Sequence, residues 1–263
     1  MKTRVAVVGA TGRMGTLIAG LIESGQIDGP SGDDAPGPEF ELVARLHSGS
    51  DLSELVGADV VVDVTAPEVS PGVVEFAVRH GIRVLVGTSG WSAERIAALR
   101  KAIDGQSEAG VLIVPNFSLG SVLATRFAGM AARFYDSVEI IESHHLDKRD
   151  SPSGTAIRTA ELIATARAER GPVRAPHSDQ RARGQQVSSV PVHSLRLSGV
   201  VAKQDVVFGG AGELLTISHE TLANTAYEAG IRLALRAAAD TRGIVVGLDA
   251  LLDLTGEQSQ VRR

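Results

Sequence analysis

The densest group of side chains able to do acid–base chemistry lies in residues 139–156, which read EIIESHHLDKRDSPSGTA. His144, His145 and Lys148 follow an apolar-rich strand pattern, so they can project together from the end of a strand. Histidine exchanges a proton near neutral pH without large tuning, and lysine can donate a proton or offset a carboxylate charge. This composition predicts a site of proton transfer.

The same stretch closes on a turn that runs into a predicted helix start at Gly154 and Thr155. The first backbone N–H groups of a helix and a threonine hydroxyl suit a substrate carboxylate. Two other interpretations stay open on the residues alone. The paired histidines are compatible with a metal site, although no HExxH or comparable spacing accompanies them, and a charged loop can simply be solvated surface.

The composition limits what this site can be part of. The chain has 263 residues, 43% hydrophobic and 22% charged, with 29 glycines and 3% aromatic residues, which suits a loop-rich α/β protein of one or two domains. Its net charge of -5 argues against general binding to nucleic acid or anionic membranes. The lack of cysteine excludes disulfides, thiolate metal sites and a cysteine nucleophile. No run is long enough to span a membrane, and we expect a cytoplasmic protein.

A glycine loop near the N-terminus indicates a dinucleotide. The apolar run 5–8 ends at Gly9, and Gly12 and Gly15 follow with the spacing GxxGxxG before a predicted helix at 16–24. A strand, a glycine turn and a helix start direct backbone N–H groups and a helix dipole at a pyrophosphate. The usual fingerprint has glycine where Ala10 stands, and a tight turn with close helix packing is the alternative.

The end of the second strand, predicted at 40–46, bears on the choice between NAD and NADP. An acid there would bind the ribose hydroxyls, but Arg45 and His47 occupy this region and the first acid is Asp51. Together with Arg13, these basic residues favour NADP. The alternative is that Arg45 and His47 are ordinary surface residues.

Two further segments follow predicted strands and should lie at the same edge of the sheet, where ligands bind in α/β folds. They are residues 87–90 and 115–117. Thr88 and Asn116 could orient the nicotinamide carboxamide or ribose, and Phe117 could lie against a ring. Turn chemistry alone also accounts for either segment.

The predicted elements describe an α/β protein with two parts. Strands and helices alternate to about residue 115, which predicts a Rossmann-type parallel sheet. A helix at 121–134, a strand at 137–142, a helix at 155–170, a loop at 171–190 and strands at 192–197, 200–208 and 213–219 then predict an α+β domain with a mostly antiparallel or mixed sheet. A hairpin at 209–212, a helix at 224–240 and an apolar tail at 243–254 complete the prediction.

Residues 142–156, ESHHLDKRDSPSGTA, closely resemble the signature of the dihydrodipicolinate reductases (4-hydroxy-tetrahydrodipicolinate reductases) of bacterial lysine and diaminopimelate biosynthesis. The segments 9–15, 87–90, 114–120, 192–199 and 213–219 also resemble family segments, in family order. The resemblance implies that nicotinamide cofactor delivers hydride to a cyclic dicarboxylate to give tetrahydrodipicolinate. Together with the basic residues near the second strand, it predicts NADPH as the preferred cofactor and NADH as the alternative. It implies a dinucleotide-binding domain at 1–116, to which 224–263 returns, and a substrate-binding and oligomerisation domain at 117–223 that forms a homotetramer. An interdomain cleft that closes on substrate is expected.

The resemblance also assigns roles. His144 and Lys148 match the catalytic residues, with His144 as proton donor or acceptor and Lys148 as proton donor. His145, Gly154 and Thr155 match substrate-binding positions. With the basic residues near the second strand, the predicted cofactor-binding residues are Gly9, Ala10, Thr11, Gly12, Arg13, Met14, Arg45, His47, Gly87, Thr88, Ser89, Val114, Pro115, Asn116 and Phe117. No metal, nucleic acid or membrane partner is predicted.

Some positions depart from the family pattern. His47 falls where many members carry an acid, which puts strong NADH use in doubt. Ser89 stands where threonine is common, Ser151 stands where alanine is common, and the loop 27–38 is longer than usual. Two alternative functions remain, a nucleotide-sensing module without turnover and another NAD(P)-dependent reductase. The absence of cysteine excludes thiol-dependent semialdehyde chemistry. A reductase with a Tyr-Lys pair at Tyr135 would need lysine four residues later, and Glu139 stands there.

Overall fold

Short runs of buried aliphatic residues form the strands of the first unit. The computed structural model describes residues 2–28, 40–105 and 108–252. The chain divides into unit 1, Met1–Phe117 with Tyr227–Arg263, and unit 2, Ser118–Ala226. The strands of unit 1 are β1 (Thr3–Val8), β2 (Phe40–Leu46), β3 (Val60–Asp63), β4 (Arg83–Val86), β5 (Gly110–Ile113) and β11 (Gly243–Val246). Within the described residues they form one parallel sheet in the order β11-β5-β4-β3-β1-β2.

Amphipathic helices cover both faces of this sheet, because its strands are apolar on both sides. They are α1 (Arg13–Glu23), α2 (Ser70–Arg79), α3 (Ala93–Ala102) and α6 (Glu228–Asp240). Helices α2 and α3 pack with Val61, Val84 and Val111 on one face, while α6 packs against β4, β5 and α1. A Cβ at Gly230 would lie 1.9 Å from the carbonyl oxygen of Phe117, so glycine lets α6 approach that segment closely. Because the helices cover the two faces of the sheet, the loops at the carboxyl ends of its strands are the part of unit 1 available for a ligand.

Unit 2 has a second sheet with helices on one face. Its elements are α4 (Leu119–Ala132), β6 (Ser137–His144), α5 (Gly154–Ala166), β7 (Gln185–Val187), β8 (Val190–Arg196), β9 (Ala202–Gly210) and β10 (Glu213–Thr221). The strand order is β10-β9-β6-β8-β7, with β6 and β8 parallel and the other pairs antiparallel. Alternate residues of the strands, including Ile140, Val206 and Phe208, pack against α4 and α5. The prediction of a parallel sheet and a second, mixed-sheet unit is therefore confirmed.

Three elements differ from the sequence prediction. The segment 171–190 was predicted as a loop, but it contains the 3-10 turn Arg181–Arg183 and strand β7. The apolar tail after Gly243 is strand β11, which pairs with β5, and a 3-10 turn, Leu248–Leu251. The helix predicted at 224–240 is a 3-10 turn, Asn224–Tyr227, followed by α6. Residues 29–38 of the predicted loop 27–38 lie outside the described residues, and Ile27 belongs to the 3-10 turn Gln26–Asp28.

No helix in the described part of the chain combines the length and the apolar content needed to cross a membrane.

Candidate active site

The loops that follow β1, β3, β4 and β5 meet at the carboxyl edge of the unit 1 sheet. Gly9 has a φ of 87°, and a Cβ there would lie 2.6 Å from the carbonyl oxygen of Val64. A Cβ at Gly87 would lie 2.7 Å from the ring of Phe117 and 2.9 Å from a methyl group of Val64. Glycine is thus required at both positions for the predicted cofactor segments to be in contact.

The start of α1 fits a pyrophosphate. Gly12 is the N-cap, no side chain caps the helix, and its first turn contains no acid. The first N–H groups of a helix have no partner within it, and the helix dipole favours an anion there. A Cβ at Gly15 would lie 2.1 Å from the carbonyl oxygen of Gly9, so glycine lets the loop fold against the helix. Thr11 and Arg13 are exposed beside this turn and Met14 is half-buried, while Ala10 is buried.

Backbone hydrogen bonds join the glycine loop to the end of β2. The N–H groups of Gly9 and Ala10 both donate to the carbonyl oxygen of Leu46 at 3.0 Å, which places the turn beginning at His47 next to the loop. Those two amides are therefore used within the protein, and the amides of the first turn of α1 are the ones left for an anion. The imidazole Nδ1 of His47 accepts from the Gly49 N–H at 3.2 Å, and the side chain is exposed.

Arg45 is not grouped with the other predicted cofactor residues. Its guanidinium forms an ion pair with Glu23, the last residue of α1, whereas the glycine loop precedes the first residue of that helix. Both side chains are about half exposed, so water screens this pair strongly. To contact a nucleotide, Arg45 would have to leave Glu23.

The remaining predicted cofactor residues lie after β4 and β5. Thr88 is buried, and its hydroxyl donates to the carbonyl oxygen of Asp63 at 3.4 Å. Ser89 and Pro115 are exposed, Asn116 is half-buried, and Val114 and Phe117 are buried. This mixture of exposed polar groups and a buried ring is suited to holding a nucleotide against the sheet edge.

A buried carboxylate that the sequence analysis did not single out organises two of these loops. Asp63, the last residue of β3, accepts from the Thr65 N–H at 3.1 Å and the Thr65 hydroxyl at 2.6 Å. It also accepts from the hydroxyl of Ser70, which in turn accepts from the indole Nε1–H of Trp91 at 2.9 Å. The network joins the loop after β3 to the loop after β4.

In unit 2, the end of β6 carries an imidazole held by a carboxylate. His144 is the last residue of β6, and its Nδ1 lies 2.5 Å from Oε2 of Glu142. Residues two apart on a strand face the same side, which explains the contact. Burial opposes ionisation of Glu142, but hydrogen bonds from His144, Arg196 and Ser194 outweigh it and lower the pKa of Glu142 to about 2. Glu142 is therefore an anion at neutral pH.

Arg196 completes this group from β8. The parallel register places it beside His144. Its Nη1 lies 3.1 and 3.0 Å from the two carboxylate oxygens of Glu142, and Nη2 lies 3.1 Å from Oε1. The same guanidinium donates to the carbonyl oxygens of Lys148 at 3.3 Å and Asp150 at 2.6 Å. One arginine thus joins Glu142 to the loop that carries Lys148.

The ammonium group of Lys148 faces Asp150, with Nζ 2.7 and 2.9 Å from the two carboxylate oxygens. Burial opposes ionisation of Asp150, but the hydrogen bond and charge of Lys148 prevail and lower its pKa. His145 is half-buried, and its carbonyl oxygen accepts from the Lys148 N–H at 3.2 Å. Because an ammonium has three donors, Lys148 can hold Asp150 and still contact a substrate.

The start of α5 lies beside the same carboxylate. Ser153 is the N-cap, and its hydroxyl accepts from the Ala156 N–H at 3.2 Å. The Ser153 N–H donates to Oε1 of Glu142 at 3.3 Å, which ties the helix start to the end of β6. Gly154 is exposed and Thr155 is half-buried in the first turn. The structure thus brings together His144, Lys148 and the Gly154–Thr155 turn through Glu142 and Arg196.

Glu142, Arg196 and Asp63 were not among the predicted site residues. Glu142 had a usable signal, because strand alternation places it on the face of His144. The sequence also contained a signal for Asp63, because it is a single acid at the end of a run of valines. Arg196 had none, since it lies 54 residues from Glu142 along the chain. In residues 2–28, 40–105 and 108–252, no three His, Cys, Asp or Glu side chains cluster as metal ligands.

Known proteins match this chain over almost its whole length. The family described as "Dihydrodipicolinate reductase, N-terminus" matches residues 3–117, and the family described as "Dihydrodipicolinate reductase, C-terminus" matches residues 120–252. A 4-hydroxy-tetrahydrodipicolinate reductase of Clavibacter michiganensis is 64% identical over 260 residues, covering 99% of this chain and 90% of the relative. One from Streptomyces griseus is 44% identical over 259 residues, covering 96% and 99%.

A solved structure has the same architecture. The dipicolinate-bound dihydrodipicolinate reductase from Paenisporosarcina sp. TG-14 superimposes with a TM-score of 0.75 at 29% identity, covering 96% of this chain and all of the other. Both halves of the sequence, whole-chain relatives and the fold agree. With its glycine loop in unit 1 and its histidine–lysine segment in unit 2, the chain belongs to the dihydrodipicolinate reductase family.

Proposed function

We propose that this chain is an NADPH-preferring 4-hydroxy-tetrahydrodipicolinate reductase in which His144 and Lys148 carry out the proton chemistry. The reaction reduces 4-hydroxy-tetrahydrodipicolinate to tetrahydrodipicolinate with a pyridine nucleotide, a step of diaminopimelate and lysine biosynthesis. The observation that carries the assignment of roles is the grouping of His144, Lys148 and the start of α5 around Glu142. This grouping also disfavours a nucleotide-sensing module, which would need no such site.

The two units have different tasks in this proposal. The reduced nicotinamide supplies the hydride, and unit 1 holds the dinucleotide through the start of α1 and the loops after β4 and β5. Residues 1–116 with 224–263 form the cofactor-binding domain, and residues 117–223 bind the substrate. The relative bound to dipicolinate supports a cyclic dicarboxylate as the substrate.

The substrate carboxylates fit the groups near the start of α5. Gly154 and Thr155 offer first-turn N–H groups and a hydroxyl, and the helix dipole adds positive potential there. His145 and Lys148 supply further hydrogen-bond donors. Holding the dicarboxylate at fixed points orients its electron-poor carbon for hydride transfer. Binding energy used in this way lowers the activation barrier of the reaction.

Proton delivery completes the reduction. Loss of the 4-hydroxyl group of the substrate as water gives a conjugated imine-type system. Hydride addition to a carbon of this system leaves negative charge on a conjugated carbon or on nitrogen, and a proton must be placed there. His144 presents Nε2 for this task because Nδ1 is held by Glu142. Lys148 stabilises the developing charge or donates the proton, and the Asp150 carboxylate keeps its side chain near the site between turnovers.

The preference for NADPH rests on the turn beside the glycine loop. His47 follows Leu46, whose carbonyl oxygen accepts from Gly9 and Ala10, and Arg13 is exposed at the start of α1. These two groups suit a 2′-phosphate, for which an acid at the end of the second strand would be unfavourable. Arg45 contributes in this proposal only after leaving Glu23.

We further propose a cytoplasmic homotetramer that assembles through unit 2. Eight of the ten large hydrophobic side chains found exposed in the described residues belong to this unit, including Phe127, Met130 and Phe134. Phe127 and Met130 lie three residues apart on α4, which places both on one side of the helix, and Phe134 follows shortly after the helix ends. Sedimentation analysis of the purified protein, and of F127S/M130S, tests this assembly; a monomeric wild-type protein would contradict it.

The enzyme proposal is tested by one assay with matched variants. The purified protein is incubated with substrate made by a synthase, and oxidation of NADPH and of NADH is followed separately. We expect faster oxidation of NADPH, and we expect H144A and K148A to lower kcat by about 10²–10⁴-fold while both variants stay folded. No oxidation of either cofactor would overturn the reductase assignment, and near-wild-type kcat in both variants would overturn the two catalytic roles.

A further inference from the structure

Glu142 and Arg196 form a buried ion pair next to His144 and the loop of Lys148, and neither is assigned a proton-transfer step. Glu142 is completely buried, and its carboxylate is shared by His144, Arg196 and the N–H of Ser153. Arg196 is mostly buried and donates to two carbonyl oxygens in the loop of Lys148. The two proton-transfer side chains are therefore connected through a single pair of charges.

We propose that Glu142 and Arg196 are positioning residues for the reduction, with Glu142 orienting the imidazole of His144 through Nδ1 and Arg196 fixing both Glu142 and the Lys148 loop. The inference rests on the proposed roles of His144 and Lys148. It goes beyond them, because it explains how side chains from a strand end and from a loop are held in one arrangement.

The contact between Glu142 and His144 sets the imidazole tautomer. A carboxylate that only accepts hydrogen bonds, 2.5 Å from Nδ1, requires a proton on Nδ1. A neutral ring then has its lone pair on Nε2, and a charged ring has its transferable proton there. Similar carboxylate–histidine pairs fix the tautomer and ring direction of imidazoles elsewhere in proteins.

Arg196 has two effects because its guanidinium is planar and has five donors. Nη1 and Nη2 hold the carboxylate of Glu142, and Nε and Nη2 hold the carbonyl oxygens of Lys148 and Asp150. A lysine at this position could balance the charge of Glu142 but could not make all of these contacts. The backbone next to Lys148 is thereby tied to the same strand register that sets His144.

The same strand provides a matched control on its other face. Glu139 accepts from His193 Nε2 at 2.7 Å and forms an ion pair with Arg183, so it has the same types of partner as Glu142. Residues three apart on β6 point to opposite faces of the sheet. Because the Glu139 side chain is 33% exposed whereas Glu142 is completely buried, loss of Glu139 should destabilise the fold less, and it should not change the proton chemistry.

The test is a double-mutant cycle on kcat with E142Q, H144A and E142Q/H144A. We expect E142Q to lower kcat by roughly 10- to 100-fold with the KM for NADPH unchanged. In the H144A background the same substitution should change kcat by less than about threefold, because Glu142 acts through His144. E139Q should keep the wild-type kcat.

A spectroscopic measurement separates positioning from general damage. In ¹⁵N spectra of the wild-type enzyme, the His144 signals, identified by their loss in H144A, should show the proton on Nδ1. In E142Q the glutamine amide can also donate to Nδ1, so a mixture of tautomers is expected. Unchanged His144 signals in E142Q would overturn the orienting role of Glu142.

Removing one charge of a buried pair can prevent folding, so a second variant is needed. E142Q/R196M removes both charges, and we expect it to fold, as measured by circular dichroism, yet to keep a low kcat. R196K should retain the Nδ1 tautomer of His144 but raise the KM for the dicarboxylate, because the Lys148 loop is less well held. Wild-type kinetics in R196K would overturn the loop role of Arg196.

The two levels of the proposal fail in different ways. If H144A retains near-wild-type kcat, the catalytic role of His144 is wrong. If H144A is impaired but E142Q matches the wild type, or if the two effects multiply in the double mutant, the roles of His144 and Lys148 stand and the positioning role of Glu142 is overturned.

Discussion

The indole Nε1–H of Trp91 donates to the hydroxyl of Ser70 at 2.9 Å, and Ser70 donates in turn to the buried carboxylate of Asp63. Trp91 follows the segment 87–90 directly and is the only tryptophan of the chain. The hydrogen bonds tie this single indole to the loop after β3, whose Val64 contacts the positions of Gly9 and Gly87. Trp91 therefore lies on the framework of the proposed cofactor site.

Titration with NADPH should quench the emission of Trp91, because reduced nicotinamide absorbs where tryptophan emits and the proposed site is close to the indole. W91F should bind NADPH, as measured by calorimetry, without this signal. The Kd values from quenching and from calorimetry should agree for the wild-type protein. Calorimetric binding without any change in emission would contradict the proposed location of the cofactor.

Gly15 and Gly20 make a matched pair of substitutions on α1. A Cβ at Gly15 would lie 2.1 Å from the Gly9 carbonyl oxygen, whereas a Cβ at Gly20 meets nothing within 4 Å. We expect G15A to destabilise the protein by about 1–3 kcal/mol and to weaken NADPH binding. G20A should stabilise it by about 0.5–1 kcal/mol, because alanine has the higher helix propensity, and leave binding unchanged. Urea denaturation and NADPH titration of the two variants measure both effects, and equal NADPH affinity in both would argue against the glycine loop as the pyrophosphate site.

Cofactor preference should depend on Arg13 and His47. Losing a hydrogen bond to a charged group costs about 1.5–3 kcal/mol, so R13A and H47D should each lower kcat/KM for NADPH by roughly 10- to 100-fold. The kcat/KM for NADH should change little in R13A. It should rise in H47D, because the new acid can contact the ribose. R45A is the control, since Glu23 already holds that guanidinium and a smaller effect is expected. A larger loss in R45A than in R13A would show that Arg45 exchanges Glu23 for the phosphate.

Acid should remove the stabilisation that Glu142 provides. The pKa of Glu142 falls from an ordinary value of 4.5 to about 2 in the folded protein. Because the folded state holds the ionised form more strongly, this contribution of about 3 kcal/mol is complete above pH 4.5 and is lost as the pH falls towards 2. Urea denaturation over this range should show the free energies of unfolding of wild type and E142Q converging. A difference between them that is constant with pH would contradict the ionised, paired state of Glu142.

Local patterns in the sequence were sufficient for much of the fold. Apolar runs ending at Gly9 and Gly87 predicted buried parallel strands, since a strand covered on both faces must be apolar throughout. Strand β2 has the predicted bounds, 40–46. Ser92, a residue type that favours helix starts, caps α3, with its hydroxyl accepting from the Arg95 N–H. The segment 142–156 was specific enough to indicate the family without any structural information.

Other features depend on contacts between distant parts of the chain. Strand β11 exists because Gly243–Val246 pairs with β5, more than a hundred residues earlier, and nothing in its own short apolar run distinguishes a strand from a tail. Strand β7 likewise depends on β8. Arg45, which its position at the end of β2 assigned to the cofactor, is held by Glu23 on a neighbouring element.

The same division holds in the candidate site. Residue types and spacing alone indicated acid–base chemistry at His144 and Lys148 and anion binding at the start of α5, because these properties belong to the side chains and to the local backbone. The tertiary structure alone determined that Glu142 and Arg196 connect them. Their contact spans 54 residues and exists only once β6 and β8 are paired, and no local periodicity encodes which buried charge will meet which.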